Sequence, residues 1–260
     1  MVSGAGIIAD RLKGISGGRV LDVATGDGDF ILALKQALGD YDSFVGIDVS
    51  REEIEKAREN RIDAAEFRVM NAGRMEYEDA SFDTVCMANS LHHLEDTGLV
   101  LAEMMRVLRP GGHFIVQESF SDGEQTEAQV SEILSHNLDA DIDSLLGVTH
   151  RRTFTRGEIE GIIGAAGLGA VEVFESSRYV KCLFCDRGEM CDDPMEESIV
   201  SFAIKEIEEN LERIRGHQEY GVFRVEAEKI MSRIRRTGSS LASILFIIGK
   251  KKSAARVQSR

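Results

Sequence analysis

Over its first two thirds the chain alternates short apolar runs with amphipathic stretches, and this alternation restricts its fold more than any other feature. Parallel strands cannot be joined by tight turns; they need crossover segments, which are usually helices. Val20 to Ala24 reads as a first strand, Phe30 to Leu38 as a helix, Phe44 to Val49 as a second strand, and Arg51 to Asn60 as a charged helix with Ser50 as N-cap. Phe67 to Met70, Thr84 to Ala88 and His113 to Gln117 supply three more strands, with a helix over Thr97 to Leu108. Arg109-Pro110-Gly111-Gly112 reads as the turn between that helix and the strand after it. An α/β fold with a parallel sheet follows.

Beyond Glu118 the pattern loosens into an acidic, partly helical stretch of about residues 124–146. Thr155 and Glu158 form a capping box for a helix reaching Ala166, and Gly167 ends it. Ala170 to Phe174 and Ala242 to Ile248 are the last two strands, and the segment between them is far longer than a simple connection. It carries Val200, Ala203, Ile207, Leu211 and Ile214, then Phe223, Ala227, Ile230 and Ile234, at spacings of three and four. This predicts an inserted helical hairpin. Its stripes must be buried, over a substrate pocket or against a second copy, because isolated helices of this length are marginal in water. The expected division is a core of 1–178 plus 241–252, an insertion of 179–240 and a basic tail of 253–260.

A formal charge of −14 works against a nucleic-acid partner, and the basic patches Arg233 to Arg236 and Lys250 to Arg260 are short. Met1 to Lys13 lacks a basic-then-apolar leader, and no apolar run is long enough to cross a bilayer. The expectation is a soluble cytoplasmic protein with no membrane partner, and sparse cysteines, at 86, 182, 185 and 191, agree with a reducing compartment.

The chemistry centres on Val20 to Phe30, where an apolar strand runs into a turn containing Gly26 and Gly28. Those glycines permit backbone angles and a ligand approach that side chains obstruct. A dinucleotide fold would place a third glycine where Ile31 stands, and Asp27 and Asp29 would repel a pyrophosphate. A cofactor without phosphate and with a cationic end fits better, with Asp22 placed to attract an ammonium. Asp48, ending the second strand, can accept both ribose hydroxyls; a solvated acid at a strand tip is the alternative.

Asp22xAla24xGly26xGly28, Gly46-Ile47-Asp48, Asn71-Ala72, Ser81 to Val85 leading to Leu91-His92-His93-Leu94-Glu95-Asp96, and Val107 to Gly112 follow one another in order. Residues 19–119 therefore resemble the class I S-adenosylmethionine-dependent methyltransferases, in the methyltransferase type 11 branch related to quinone-biosynthesis methylases. The resemblance implies a Rossmann-like three-layer sandwich with a seven-stranded, mostly parallel sheet in order 3-2-1-4-5-7-6, the last strand antiparallel. It implies S-adenosylmethionine as cofactor, bound by Asp22, Ala24, Gly26, Gly28, Asp48, Val49, Asn71, Ala72 and Asn89, and methyl transfer to a small-molecule acceptor. Two departures stand out: Ala24 replaces the first glycine of the usual motif, and Asn71 the usual aspartate.

His93 is the candidate base or substrate orienter, against a structural histidine that ties its loop down. His136 and His150 are expected at the surface. Cys182, Cys185 and Cys191 are expected to be packing thiols, with no metal site assigned; as ligands they would instead make the chain a metalloid methyltransferase. The remaining alternative is a non-catalytic S-adenosylmethionine-binding scaffold.

Overall fold

The computed structural model describes residues 4–176 and 193–253. In chain order the elements are α1 (Gly4–Lys13), β1 (Arg19–Val23), α2 (Asp29–Ala37), β2 (Ser43–Asp48), α3 (Arg51–Glu59), β3 (Ala65–Val69), β4 (Phe82–Ala88), a single 3-10 turn (Leu91–His93), α4 (Thr97–Val107) and β5 (Leu108–Ser119). There follow α5 (Glu127–Leu145), α6 (Arg156–Gly164), β6 (Gly169–Ser176), α7 (Glu197–Arg213), α8 (Tyr220–Thr237) and β7 (Ile244–Lys250). The sheet runs β3-β2-β1-β4-β5-β7-β6, and β7 is antiparallel to both neighbours, as expected.

Alternation along the strands builds the three layers. Leu21, Val23, Val85, Met87, Phe114 and Val116 point to one face, where α4 and α6 cover them with Leu101, Met104, Ile159 and Ile163. Val20, Phe44, Cys86, Ile115 and Phe246 point to the other, beneath α1, α2 and α3. Ser50 caps α3 by accepting from the Glu53 N–H, and the Thr155–Glu158 capping box opens α6. Helix α1, which sequence reasoning left unassigned, buries Ile8 and Leu12 in the second layer.

Two expectations need correction. Arg109 to Gly112 is not a free turn, because β5 starts at Leu108 and Gly111 and Gly112 exchange backbone hydrogen bonds with Lys251 at 2.8 and 3.0 Å. The chain just beyond β7 draws this stretch into the sheet. Helix α6 stops at Gly164, ahead of Ala166, and Gly167 (φ +68°) lies in the turn that follows.

The hairpin α7–α8 forms, and its stripes are covered within the chain. Ala203, Ile207, Leu211, Ala227, Ile230 and Ile234 pack on Leu138 and Ile142 of α5. Ser131 and Thr237 hydroxyls lie 2.9 Å apart, and Ser239 Oγ donates to Glu132 at 2.9 Å, which fastens the end of α8 to α5. The acidic stretch after β5 and the hairpin thus make one three-helix unit, with its own apolar cluster supplied by both. Among the described residues no helix is long and apolar enough to cross a membrane.

Candidate active site

Strand order reverses between β1 and β4, so the crevice for a ligand opens at the carboxyl ends of these strands. Gly26 (φ +54°) and Gly28 (φ +91°) hold the turn from β1 into α2. A Cβ on Gly28 would come within 3.0 Å of Ile62 and Phe67 side chains, so the position has neither the angle nor the room for one. Ala24 also takes a left-handed angle, φ +55°, which gives the physical reason for a glycine there in the usual motif.

Asp22 is buried at the end of β1 and accepts from Thr25 Oγ1 at 2.7 Å and from Cys86 Sγ at 3.5 Å. Burial pushes its carboxyl up to about 7; the two hydrogen bonds pull the other way, and the nearby Asp48 adds a smaller upward push. Asp48 Oδ2 accepts from Gly26 N at 3.1 Å and Oδ1 from Ser50 N at 2.8 Å, so one carboxylate ties the β1 turn to the β2 turn. Val49 beside it is exposed. Past β3, Asn71 Oδ1 accepts from Gly73 N at 2.7 Å, and Ala72 packs against the core. Asn89 (φ +45°) follows β4.

Beyond Asn89 lies a cavity of about 180 Å³, lined among others by His92, Glu118, Glu132, His136 and Thr153. Glu118, buried at the end of β5, accepts from Ser90 N at 3.1 Å and Leu91 N at 2.9 Å, and its other oxygen is 2.7 Å from His92 Nδ1. Burial raises the Glu132 carboxyl above its usual range.

Four imidazoles meet here. His93 packs on His92 and His150 with ring centroids 4.2 and 4.3 Å apart, and does not itself line the cavity. His136 of α5 and His150 face each other, Nε2 to Nε2, at 3.1 Å. His150 Nδ1 lies 2.8 Å from Asp143 Oδ2; Arg213 of α7 pairs with Asp143 and, at 3.2 Å, with Asp139. Thr153 Oγ1 is 3.1 Å from His136 Nδ1. Desolvation first, and the adjoining rings second, push His93 down to about 3 and His136 down to about 4, so both are uncharged near neutral pH.

The surface placement expected for His136 and His150 is therefore overturned: His150 is buried and His136 half-buried. Helix α5 brings His136 to the carboxyl edge of the sheet, beside the loop that holds His92, and the loop after α5 returns His150 to the same point, its Arg151 N–H donating to His92 O at 2.8 Å. Glu118 and Glu132 were missed altogether. Glu118 could have been found, because it continues the buried face Phe114, Val116 at a spacing of two. Cys182, Cys185 and Cys191 lie outside the described residues, and Cys86 is buried in β4, donating to Leu21 O at 3.3 Å.

The family profile described as "Methyltransferase domain" matches residues 15–154. The chain belongs to this methyltransferase family. It is an enzyme that uses S-adenosylmethionine, and the β1–β4 crevice is where such a fold receives its ligand. The 27-O-demethylrifamycin SV methyltransferase of Amycolatopsis mediterranei is 26% identical, over 82% of this chain and 78% of that one. A demethylmenaquinone methyltransferase of Staphylococcus aureus is 35% identical, but over only 40% of this chain and 44% of its own length. Among solved structures, the YcgJ protein of Bacillus subtilis shares the fold with a TM-score of 0.56 at 17% identity, covering 96% of this chain and 99% of that one.

Proposed function

We propose that this methyltransferase carries the methyl group of S-adenosylmethionine to a small molecule seated in the cavity between Asn89 and α5. The observation that carries this reading is the position of the cavity: it begins at Asn89, on the strand end that borders the cofactor crevice, and is walled by His92, His136 and Thr153. Such a place suits an in-line displacement, in which the protein aligns the acceptor with the methyl carbon and excludes water. The sulfonium becomes a neutral thioether as the acceptor gains the methyl group.

On the cofactor side, Asp22 faces the ammonium, Gly26 and Gly28 give the backbone close approach, and Asp48 accepts from the ribose beside Val49. Asn71 and Ala72 flank the adenine, and Ala24 and Asn89 complete the mouth. Asp48→Ala is expected to weaken cofactor binding by about tenfold or more, since it removes charge-assisted bonds to the ribose and unties Gly26 from Ser50. Calorimetry with S-adenosylhomocysteine checks it, and an unchanged affinity rules the ribose role out.

Of the two roles expected for His93, base or orienter, we favour the second: it packs on His92 and His150 and so fixes the rings that border the acceptor, whereas a ring held down at about 3 is too weak a base to keep the acceptor's proton near neutral pH. His93→Ala should lower turnover roughly a hundredfold with cofactor affinity retained. Full turnover in that variant would leave His93 as a packing residue. The activity itself is tested by incubating the enzyme and cofactor with metabolite extracts and searching by mass spectrometry for compounds that gain one methyl group. Cofactor binding without any methylated product would favour a scaffold. Since α5 covers the hairpin stripes, a homodimer through the insertion would have to use its exposed side chains, Phe202, Val222 and Val225. Light scattering on the full chain decides that point.

A further inference from the structure

We infer that His92, His136 and His150 form a three-histidine site for a divalent transition-metal ion at the wall of the acceptor cavity. The first reason is convergence: one nitrogen from each ring lies within 4.8 Å of the others, and the two Nε2 atoms of His136 and His150 are 3.1 Å apart. Around a tetrahedral ion with metal–nitrogen bonds of about 2.0–2.1 Å, neighbouring ligand nitrogens stand about 3.3 Å apart. Two of the three ligands are thus already at bonding separation, and His92 has only a short distance to close.

The second reason is independent of the first. In each ring the far nitrogen, Nδ1, is held by an oxygen: Glu118 for His92 at 2.7 Å, Asp143 for His150 at 2.8 Å and the Thr153 hydroxyl for His136 at 3.1 Å. Oxygen partners behind the imidazoles fix the tautomer and the ring plane of metal-ligating histidines. With both carboxylates accepting, the Nε2 atoms of His92 and His150 carry their lone pairs forward. Lone pairs on His136 and His150 at 3.1 Å repel each other unless a proton or a cation lies between them. In the metal-free form His136 Nε2–H donates to His150 and the Thr153 hydroxyl donates to His136 Nδ1; an ion takes the place of that proton when the threonine turns from donor to acceptor.

Charge favours a cation as well. Glu118 and Asp143 stand directly behind the rings and Asp139 lies 3.9 Å from His150, while the guanidinium of Arg213 pairs with both aspartates. Imidazole-only ligation suits zinc, nickel, copper or iron better than magnesium or calcium. Three protein ligands leave a coordination position free, and because His92 and His136 line the cavity, that position faces the acceptor.

This deepens the proposed function, on which the next step alone rests. The acceptor class would be a small molecule with a hydroxyl that binds the ion. Metal binding lowers the pKa of that hydroxyl, its proton leaves to water, and the oxygen lone pair forms the new O–C bond as the S–C bond of the cofactor breaks.

The test needs no acceptor. The full chain carrying Cys182→Ser, Cys185→Ser and Cys191→Ser, stripped with a chelator, is titrated with Co²⁺ and with Zn²⁺, following the visible cobalt spectrum and the heat released. The expected result is one equivalent bound, with affinity lowered about a hundredfold in His136→Ala and His150→Ala and about tenfold or more in Asp143→Asn. S-adenosylhomocysteine affinity should stay unchanged in all three. His136→Ala leaves the His150–Asp143–Arg213 pairing in place, so it serves even where His150→Ala fails to fold. Absence of stoichiometric binding, or binding indifferent to both histidine changes, overturns the site. Methyl transfer that proceeds undiminished in the chelator-stripped protein, with stoichiometric metal binding intact, would instead count against the metal-bound hydroxyl alone.

Discussion

Asp22→Asn is expected to stabilise the cofactor-free protein above about pH 7, by on the order of 3 kcal/mol, while weakening S-adenosylmethionine binding by tenfold or more. The carboxyl is buried, and burial lifts it from 3.8 to about 7. The folded chain therefore holds a proton that the unfolded chain has already released across that window. Stability owed to the protonated form is fully present below about pH 4 and is lost as pH rises through about 7. An asparagine stays neutral throughout, so the variant escapes that loss; it also removes the charge proposed to face the cofactor ammonium. The measurement is urea unfolding at about pH 5 and pH 8, beside calorimetry with the cofactor. A wild-type stability that does not fall between those two pH values would sink the assignment.

Glu118→Ala should cost about 3–5 kcal/mol, the largest stability loss expected from a single change at the site. The carboxylate is buried and accepts from the Ser90 and Leu91 N–H groups and from His92. Truncation leaves these two buried N–H donors without their acceptor and frees the His92 ring. Glu118→Gln keeps one oxygen for the two N–H groups but offers an amide N–H₂ to His92, so its loss should be smaller, about 1–2 kcal/mol. Equilibrium unfolding of the two variants checks the order. An alanine variant within about 1 kcal/mol of wild type would mean that the loop after β4 is held by other means.

The local geometry of the proposed cofactor half was legible because it is local in sequence. Gly26, Gly28 and Asp48 sit at strand ends, where a chain fragment of strand, turn and helix already fixes their geometry. Ser50 and Thr155 were legible as caps for the same reason, each needing only the N–H three residues on. The Arg109 to Gly112 stretch was misread because its hydrogen bonds go to Lys251, far away in the chain. His136 and His150 were misread for want of any periodicity linking them to His92; their burial depends on the fold-back of α5 over the sheet edge.

The sequence by itself determined the alternation of strand and helix, the glycine turn after β1, the carboxylate after β2, and two amphipathic helices that had to be buried. These depend on residues within a turn or two of one another, where backbone sterics and side-chain period suffice. Tertiary structure alone decided what the hairpin leans on, and it chose α5 of the same chain. It also decided that histidines from the β4 loop, from α5 and from the loop after α5 share one point, with Glu118, Asp143 and Thr153 behind them. Such a convergence is set by how packed layers close on each other, and no local pattern records it.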